Sequence, residues 1–136
     1  MNARYSRSPI ALVINSHHAV RRALCERIQA SFANFQIREA ASVADALCVL
    51  DGESIDVVVL DEGSGISGLQ GTRAILQHAP KASVIVMSAF SEPTCRSAAS
   101  KAGAMAFVSR RAIGSELMQV LESFTKQAQD GEHKSE

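Results

Sequence analysis

Short apolar runs alternate with longer amphipathic stretches along this chain of 136 residues. This alternation constrains the fold more than any other feature. An uninterrupted apolar run of about 4–8 residues is typical of a strand that is covered on both faces. A stretch with apolar residues at every third or fourth position predicts a helix. Because strands and helices alternate, the sequence predicts a doubly wound α/β protein built on a parallel sheet.

Five segments are predicted as strands and five as helices. The predicted strands are 10–14, 35–40, 55–60, 83–88 and 104–108. The second strand is the most polar and is predicted at an edge, whereas the third is the most apolar and is predicted to be central. The first predicted helix is 18–32. The second is capped by Ser42 and runs to 50, and the third follows a loop over 63–68 and ends at about 79. The last two are 92–102 and 113–124. Val20, Leu24 and Ile28 form the expected apolar stripe of the first helix.

The length and composition predict one globular domain over residues 9–124, with a mobile N-terminus (1–8) and a polar tail or linker (125–136). Fourteen basic and fourteen acidic residues cancel, so a domain-wide basic field for nucleic acid is excluded. Aromatic residues make up 4% of the chain and Trp is absent, which argues against a base-stacking platform. No apolar run is long enough to span a membrane.

The three cysteines do not form a disulfide or metal-binding pattern. Their number is odd and no CxxC spacing occurs, which predicts a cytoplasmic protein with reduced thiols. Cys25 and Cys48 lie among apolar residues of predicted helices, and we expect both to be small buried side chains. Cys95 lies near a predicted helix start, where a lowered thiol pKa is the alternative to a structural role.

Polar and charged residues follow several of the predicted strands. Asn15 and Ser16 follow the first strand, Asp61 the third, Ser88 the fourth and Arg110 the fifth. Ligands of open α/β sheets bind at the carboxyl ends of the strands, so these residues are the candidate site. An Asp in this position is suited to accept a phosphoryl group, bind a metal or stabilise a helix entry.

Five stretches resemble the response-regulator receiver domain, the phosphoacceptor module of bacterial two-component signalling. They are Asp56–Asp61, Gly68–Arg73, Val84–Ala89, Ala102–Arg110 and Ile14–Arg21. The last of these resembles the NarL-type subfamily, whose receivers normally precede a helix-turn-helix DNA-binding domain. The resemblance implies a flavodoxin-like fold with strand order 2-1-3-4-5.

The resemblance also implies roles for individual residues. Asp61 matches the phosphoacceptor of the family, whereas Ser88 and Phe107 match its switch hydroxyl and switch aromatic. Gly63 matches the residue whose backbone carbonyl the family offers to Mg²⁺, and Arg110 stands in place of the family's lysine as a contact for phosphate or carboxylate.

Several positions depart from the family pattern. The two acidic residues that hold Mg²⁺ are replaced by Asn15 and Ser16, and Gly65 replaces a proline in the loop after Asp61. A standard site has three carboxylates and one lysine, a formal charge of −2. Asp61 and Arg110 give a formal charge of zero here. Because Mg²⁺ depends on carboxylates, the sequence predicts no cofactor, with Mg²⁺ at most weakly bound.

The sequence therefore predicts an atypical receiver that is not an enzyme and acts in signalling through protein contacts, with impaired phosphorylation. The alternative is a working phosphoacceptor that uses Asp61 in a phosphorelay, as the N-terminal part of a DNA-binding transcriptional regulator. The expected partner is a protein or a histidine kinase, with a homodimer as a further option. No membrane contact is expected, and DNA is contacted only through a domain outside this chain.

Two other motifs have alternative interpretations. Residues 63–68 match a GxGxxG turn, but the adjacent Asp61 and Glu62 would repel a pyrophosphate, so a flexible loop is the favoured reading. His17 and His18 are adjacent, so their side chains diverge, and we expect them to be solvated at a helix start. The alternatives for the histidines are a pH-sensitive group beside Asp61 and a metal site.

Overall fold

The computed structural model describes residues 8–62, 68–89 and 93–125, without the side chains of residues 93 and 94. Five parallel strands form one sheet in the order β2-β1-β3-β4-β5. The strands are β1 Ile10–Ile14, β2 Gln36–Ala40, β3 Val57–Asp61, β4 Ser83–Ser88 and β5 Ala106–Ser109. The helices are α1 His18–Ser31, α2 Val43–Gly52, α3 Gly68–His78, α4 Pro93–Lys101 and α5 over 118–125.

The predicted fold class, strand order and five helices are confirmed, and the differences are local. β3 ends on Asp61 itself, so the strand positions this carboxylate directly. The last predicted helix does not begin as a regular α-helix. It is preceded by a 3₁₀ turn over Arg110–Ala112 and a π-helical turn over Ile113–Leu117. None of the described helices is both long and apolar enough to cross a membrane.

The strands of the sheet bury alternate side chains on its two faces, as the two-residue period of a strand requires. One layer contains Leu12, Ile14, Val58 and Leu60 together with apolar residues of α2 and α3. The opposite layer contains residues of β1 and β3 that point the other way, with Leu24 and Ile28 of α1 and Leu117 and Leu121 after β5. The sheet is therefore covered on both faces, which explains its continuous apolar runs.

Two expectations about burial were wrong. Val20 is 50% exposed because it lies in the first turn of α1, beside the carboxyl ends of the strands rather than over the sheet. Cys48 is exposed, because α2 buries Val43, Ala46 and Leu50 on a stripe that does not include it. Cys25 is buried as expected, and burial raises the pKa of its thiol to about 11.

The start of α3 is fixed by the residue that follows Asp61. The backbone N–H of Glu62 donates to the carbonyl of Met87 in β4 at 2.9 Å. The Glu62 carboxylate accepts a hydrogen bond from the backbone N–H of Gly68 at 2.7 Å, which satisfies a donor at the helix N-terminus. A Cβ atom at Gly68 would lie 2.8 Å from Glu62 Oε2 and from Val86 Cγ1, so this approach requires glycine.

We expect Gly68→Ala to lower the free energy of unfolding by about 1–3 kcal/mol, the usual cost of overpacking. The added methyl group displaces the Glu62 carboxylate and presses on the buried Val86. Gly52→Ala is the matched control, since no atom lies within 4 Å of the position of its Cβ. The control is expected to leave stability unchanged or raise it by up to about 1 kcal/mol. Equal urea midpoints for both variants would contradict this account of Gly68.

Candidate functional site

Asp61 lies at the carboxyl end of the central strand β3 and is almost fully buried, with 2% of its surface exposed. Two side chains that follow other strands of the sheet, β1 and β5, bind its carboxylate. Asn15, directly after β1, donates from Nδ2 to Asp61 Oδ2 at 2.6 Å. Arg110, directly after β5, donates from Nη2 to Asp61 Oδ1 and forms an ion pair with it. Both carboxylate oxygens therefore have a donor within the protein.

Asn15 is held in one orientation by a set of hydrogen bonds. Its side-chain Oδ1 accepts from the backbone N–H of His17 at 2.7 Å, so its NH₂ group must face Asp61. Its backbone N–H donates to the carbonyl of Ala40 at 3.1 Å. Its backbone carbonyl accepts from Arg21 Nη1 at 2.8 Å. The amide is therefore preorganised as a donor toward the carboxylate of Asp61.

Arg21 and Glu39 form part of the site that sequence reasoning missed. Arg21 Nε donates to Glu39 Oε1 at 2.8 Å, and Arg22 forms a second ion pair with the same carboxylate. Burial raises the pKa of the Glu39 carboxyl, but the hydrogen bonds from Arg21 and Arg22 outweigh it, so the pKa is lowered. Only the pairing of β1 with β2, which sets Val13 opposite Glu39, brings these groups to the same edge.

A cavity of about 160 Å³ opens beside Asp61. It is lined by Asn15, Ser16, His17, Val20, Asp61 and Arg110. Ser16 and His17 are exposed at its mouth, and the half-exposed Val20 makes one wall apolar. Asp61 and Arg110 are the charged residues of the lining, so the cavity has no net charge from its walls when the histidine is neutral.

The other predicted site residues lie at the same end of the sheet or close to it. Ser88 is the last residue of β4, is 1% exposed, and pairs with Ser109 in the ladder to β5. Phe107 is half-buried in β5. Gly63 lies outside the described residues. The structure therefore brings Asn15 and Arg110 into contact with Asp61, and it places Ser88 at the same sheet edge.

A second set of contacts connects β5 to α4 and to the π-helical turn. The guanidinium of Arg96 lies 5.2 Å from the centre of the Phe107 ring, and its Nη1 donates to the Phe107 carbonyl at 3.0 Å. Its Nη2 lies 3.9 Å from Glu116 Oε1. Glu116 Oε1 also accepts from the backbone N–H of Ser109 at 3.0 Å. These contacts bind β5 at Phe107 and Ser109, just before Arg110.

Residues 11–122 match the family model of the response regulator receiver domain. This chain belongs to the response regulator receiver domain family. A relative among curated proteins is the transcriptional activator protein ExaE of Pseudomonas putida, which is 31% identical over 102 residues. The match covers 74% of this chain and 48% of that protein, so the chain spans about half the length of its relative.

Solved structures share the fold of this receiver domain. A LuxR-family two-component response regulator from Aurantimonas has a TM-score of 0.76 at 24% identity, covering 86% of this chain and 84% of that chain. The receiver of the putative regulator NarL from Mycobacterium tuberculosis has a TM-score of 0.74 at 24% identity, covering 88% and 98%.

A third structure contains a modified site. It is a response regulator from Burkholderia pseudomallei with a phosphorylated aspartic acid, a calcium ion and citrate. Its TM-score is 0.73 at 19% identity, covering 93% of this chain and 72% of that chain. At these identities the likeness supports the fold alone.

The donor set around Asp61 does not fit a divalent cation. Mg²⁺ requires oxygen ligands in octahedral geometry and is usually held by one or two carboxylates. Asn15 presents an NH₂ group rather than an oxygen to Asp61, and Arg110 brings a cation to the other carboxylate oxygen. Among the residues of 8–62, 68–89 and 93–125, no cluster of three or more His, Cys, Asp or Glu side chains is placed to hold a metal.

Proposed function

We propose that this chain is an atypical receiver domain, a signalling module that acts through protein contacts and whose Mg²⁺-dependent phosphorylation is impaired. One observation carries the proposal. Both oxygens of the Asp61 carboxylate accept hydrogen bonds from the protein, one from Arg110 and one from Asn15. A phosphoacceptor must offer a lone pair of one carboxylate oxygen to the incoming phosphorus atom. Each oxygen of Asp61 already has a lone pair engaged by a donor, which lowers its nucleophilicity toward phosphorus.

The charge of the site supports the same proposal. Transfer of a phosphoryl group requires cations that stabilise the charge spread over its oxygens. The cation Arg110 forms an ion pair with Asp61, so its charge already neutralises this carboxylate. Asn15 and Ser16 are neutral, so they do not attract the metal that would otherwise supply the second positive charge.

The proposed role of each residue follows from its place. Asp61 is a phosphoacceptor position held by its own counterion, Arg110, which contacts carboxylate in place of phosphate. Asn15 and Ser16 are degenerate metal positions, and Gly63 completes that set. Ser88 and Phe107 occupy the switch positions, but without a phosphoryl group nothing at Asp61 distinguishes two states of the switch.

The output of such a domain is constitutive or is controlled by a binding partner. We propose that the binding partner is another protein, such as a histidine kinase or another regulator. The alternative is that a second copy of this chain is the partner. Analytical ultracentrifugation of the isolated chain separates these two. The likeness to the transcriptional activator protein ExaE, of which the match covers 48%, favours DNA binding through a further domain.

The experiment that tests the proposal is a Mg²⁺ titration followed by ¹H–¹⁵N NMR. The amides of Asn15, Asp61 and Arg110 are expected to keep their chemical shifts as Mg²⁺ is added, because the site lacks the carboxylates that the metal needs. Shifts confined to residues away from Asn15, Asp61 and Arg110 report weak surface association and support the proposal. Saturable shifts at Asp61 in the millimolar range would favour the alternative, a working phosphoacceptor in a phosphorelay.

A further inference from the structure

The position of Arg110 is not fixed by regular secondary structure. It is the first residue of the 3₁₀ turn Arg110–Ala112, which leads into the π-helical turn Ile113–Leu117. Its Nε–H is buried and has no acceptor within the described part of the chain. Arg110 therefore binds Asp61 through the hydrogen bond from Nη2 rather than as a bidentate pair that includes Nε, so this contact alone fixes the guanidinium less firmly. The position of the guanidinium then depends more on where the Arg110 backbone lies.

The residues on either side of Arg110 are held instead by hydrogen bonds around Ser109. The Oγ of Ser109 accepts from the backbone N–H of Arg111 at 3.2 Å. The backbone N–H of Ser109 donates to Glu116 Oε1 at 3.0 Å. Glu116 lies in the π-helical turn, and turns of this kind are enriched at functional sites. The Glu116 carboxylate thus binds a backbone group seven residues earlier in the chain and fixes the end of β5 at Ser109.

Arg96 of α4 orients this carboxylate from the other side. Its Nη2 lies 3.9 Å from Glu116 Oε1, and its Nη1 donates to the carbonyl of Phe107. The Arg96 and Glu116 side chains are 45% and 39% exposed. Solvent therefore screens the attraction between the two charges, so the pair contributes little to stability. Its main effect is on the orientation of the Glu116 side chain. Arg96 also lies over the Phe107 ring, so the same side chain contacts β5 at Phe107 and the carboxylate that binds Ser109.

We propose that Glu116 is a positioning residue for Arg110: by binding the backbone N–H of Ser109, it sets the β5 terminus from which the Arg110 guanidinium reaches Asp61. Arg96 assists by orienting Glu116. The inference rests on the proposed role of Arg110 as the internal counterion of Asp61. It adds that this counterion is held through the β5–α5 junction, by the hydrogen bond from Ser109 to Glu116.

The first test uses arginine side-chain NMR, in which an ion-paired guanidinium rotates slowly about its Nε–Cζ bond. Glu116→Ala is expected to lower the exchange protection of the Ser109 amide by about tenfold or more, the loss of one hydrogen bond to a charged group. The Arg110 guanidinium is expected to rotate faster in the same variant. Glu116→Gln keeps an oxygen that accepts from Ser109, so it is expected to retain slow rotation. Gln119→Ala, on the exposed face of α5, is the control and should change neither signal.

A merely structural role for Glu116 predicts a different pattern. If Glu116→Ala exposes the Ser109 amide while Arg110 rotates as slowly as in the wild type, the proposal is wrong.

Wild-type protein provides a second test that needs no variant. A scalar coupling is expected across the hydrogen bond between the Ser109 N–H and the Glu116 carboxylate. Its absence would also overturn the proposal. Neither outcome depends on whether Asp61 accepts phosphate, so failure here and failure of the proposed function are distinguishable.

Discussion

Arg110→Ala is expected to lower the free energy of unfolding by about 2–3 kcal/mol, because it leaves the Asp61 carboxylate buried without its counterion. A fully buried pair that loses one partner costs about 3–5 kcal/mol, and water entering beside the removed side chain reduces this amount. The Arg110 side chain is 38% exposed, whereas that of Asp61 is 3% exposed. The cost of removing Arg110 therefore arises mainly from the buried Asp61 carboxylate, which loses its counterion.

Urea denaturation of wild type, Arg110→Ala and Arg111→Ala measures this effect. Arg111 is the adjacent, exposed arginine, and its substitution is expected to change stability by less than about 0.5 kcal/mol. Adding Asp61→Asn to Arg110→Ala is expected to recover most of the loss, since a neutral amide needs no counterion. If Arg110→Ala and Arg111→Ala have the same urea midpoint, Arg110 does not compensate the charge of Asp61.

The second large effect concerns the metal. Asn15→Asp combined with Ser16→Asp is expected to strengthen Mg²⁺ binding at least about tenfold, provided that the metal displaces Arg110 from Asp61. For each unit of the cation's charge, an added carboxylate at 4 Å contributes about 4 kcal/mol at an effective dielectric constant of 20. One third of that is already about a tenfold change in affinity. Adding Arg110→Lys is expected to strengthen binding further, because a lysine ammonium is more strongly hydrated than a guanidinium and leaves the Asp61 carboxylate more readily.

The control for this repair is a variant with the same change of net charge elsewhere. Gln77→Glu combined with Gln119→Glu adds two acids on exposed helix faces. Isothermal titration calorimetry with Mg²⁺ is expected to separate the two variants clearly. Equal affinity of the repaired variant and this control would show that the loss of the acids at positions 15 and 16 is not what excludes the metal.

Much of the fold and part of the site could be predicted from the sequence. The apolar runs of β1, β3 and β4 are continuous because helices cover both faces of the sheet, and this pattern has few alternatives. The carboxyl ends of parallel strands meet at one edge, so residues far apart in the chain were expected together. Asn15, Asp61 and Arg110 meet there for that reason.

The remaining features depend on tertiary contacts that no local pattern encodes. Arg21 and Glu39 are ordinary charged residues in sequence, and only the pairing of β1 with β2 brings them beside Asn15. Val20 follows the apolar spacing of α1 but lies beyond the carboxyl ends of the strands, so it does not pack on the sheet and is exposed. The π-helical turn that carries Glu116 changes the register of the last helix, and apolar periodicity does not reveal a single extra residue in a turn.

The central claim is that Asp61 is occupied by donors of the protein and does not accept a phosphoryl group with Mg²⁺. Incubation with acetyl phosphate and Mg²⁺, followed by intact mass spectrometry, tests it most directly. The mass of the wild-type chain is expected to stay unchanged, and Asp61→Asn is the matched control. The variant with both Asn15→Asp and Ser16→Asp is expected to accept a phosphoryl group. A rapid, Mg²⁺-dependent gain of one phosphoryl group in the wild type that disappears in Asp61→Asn would contradict the account.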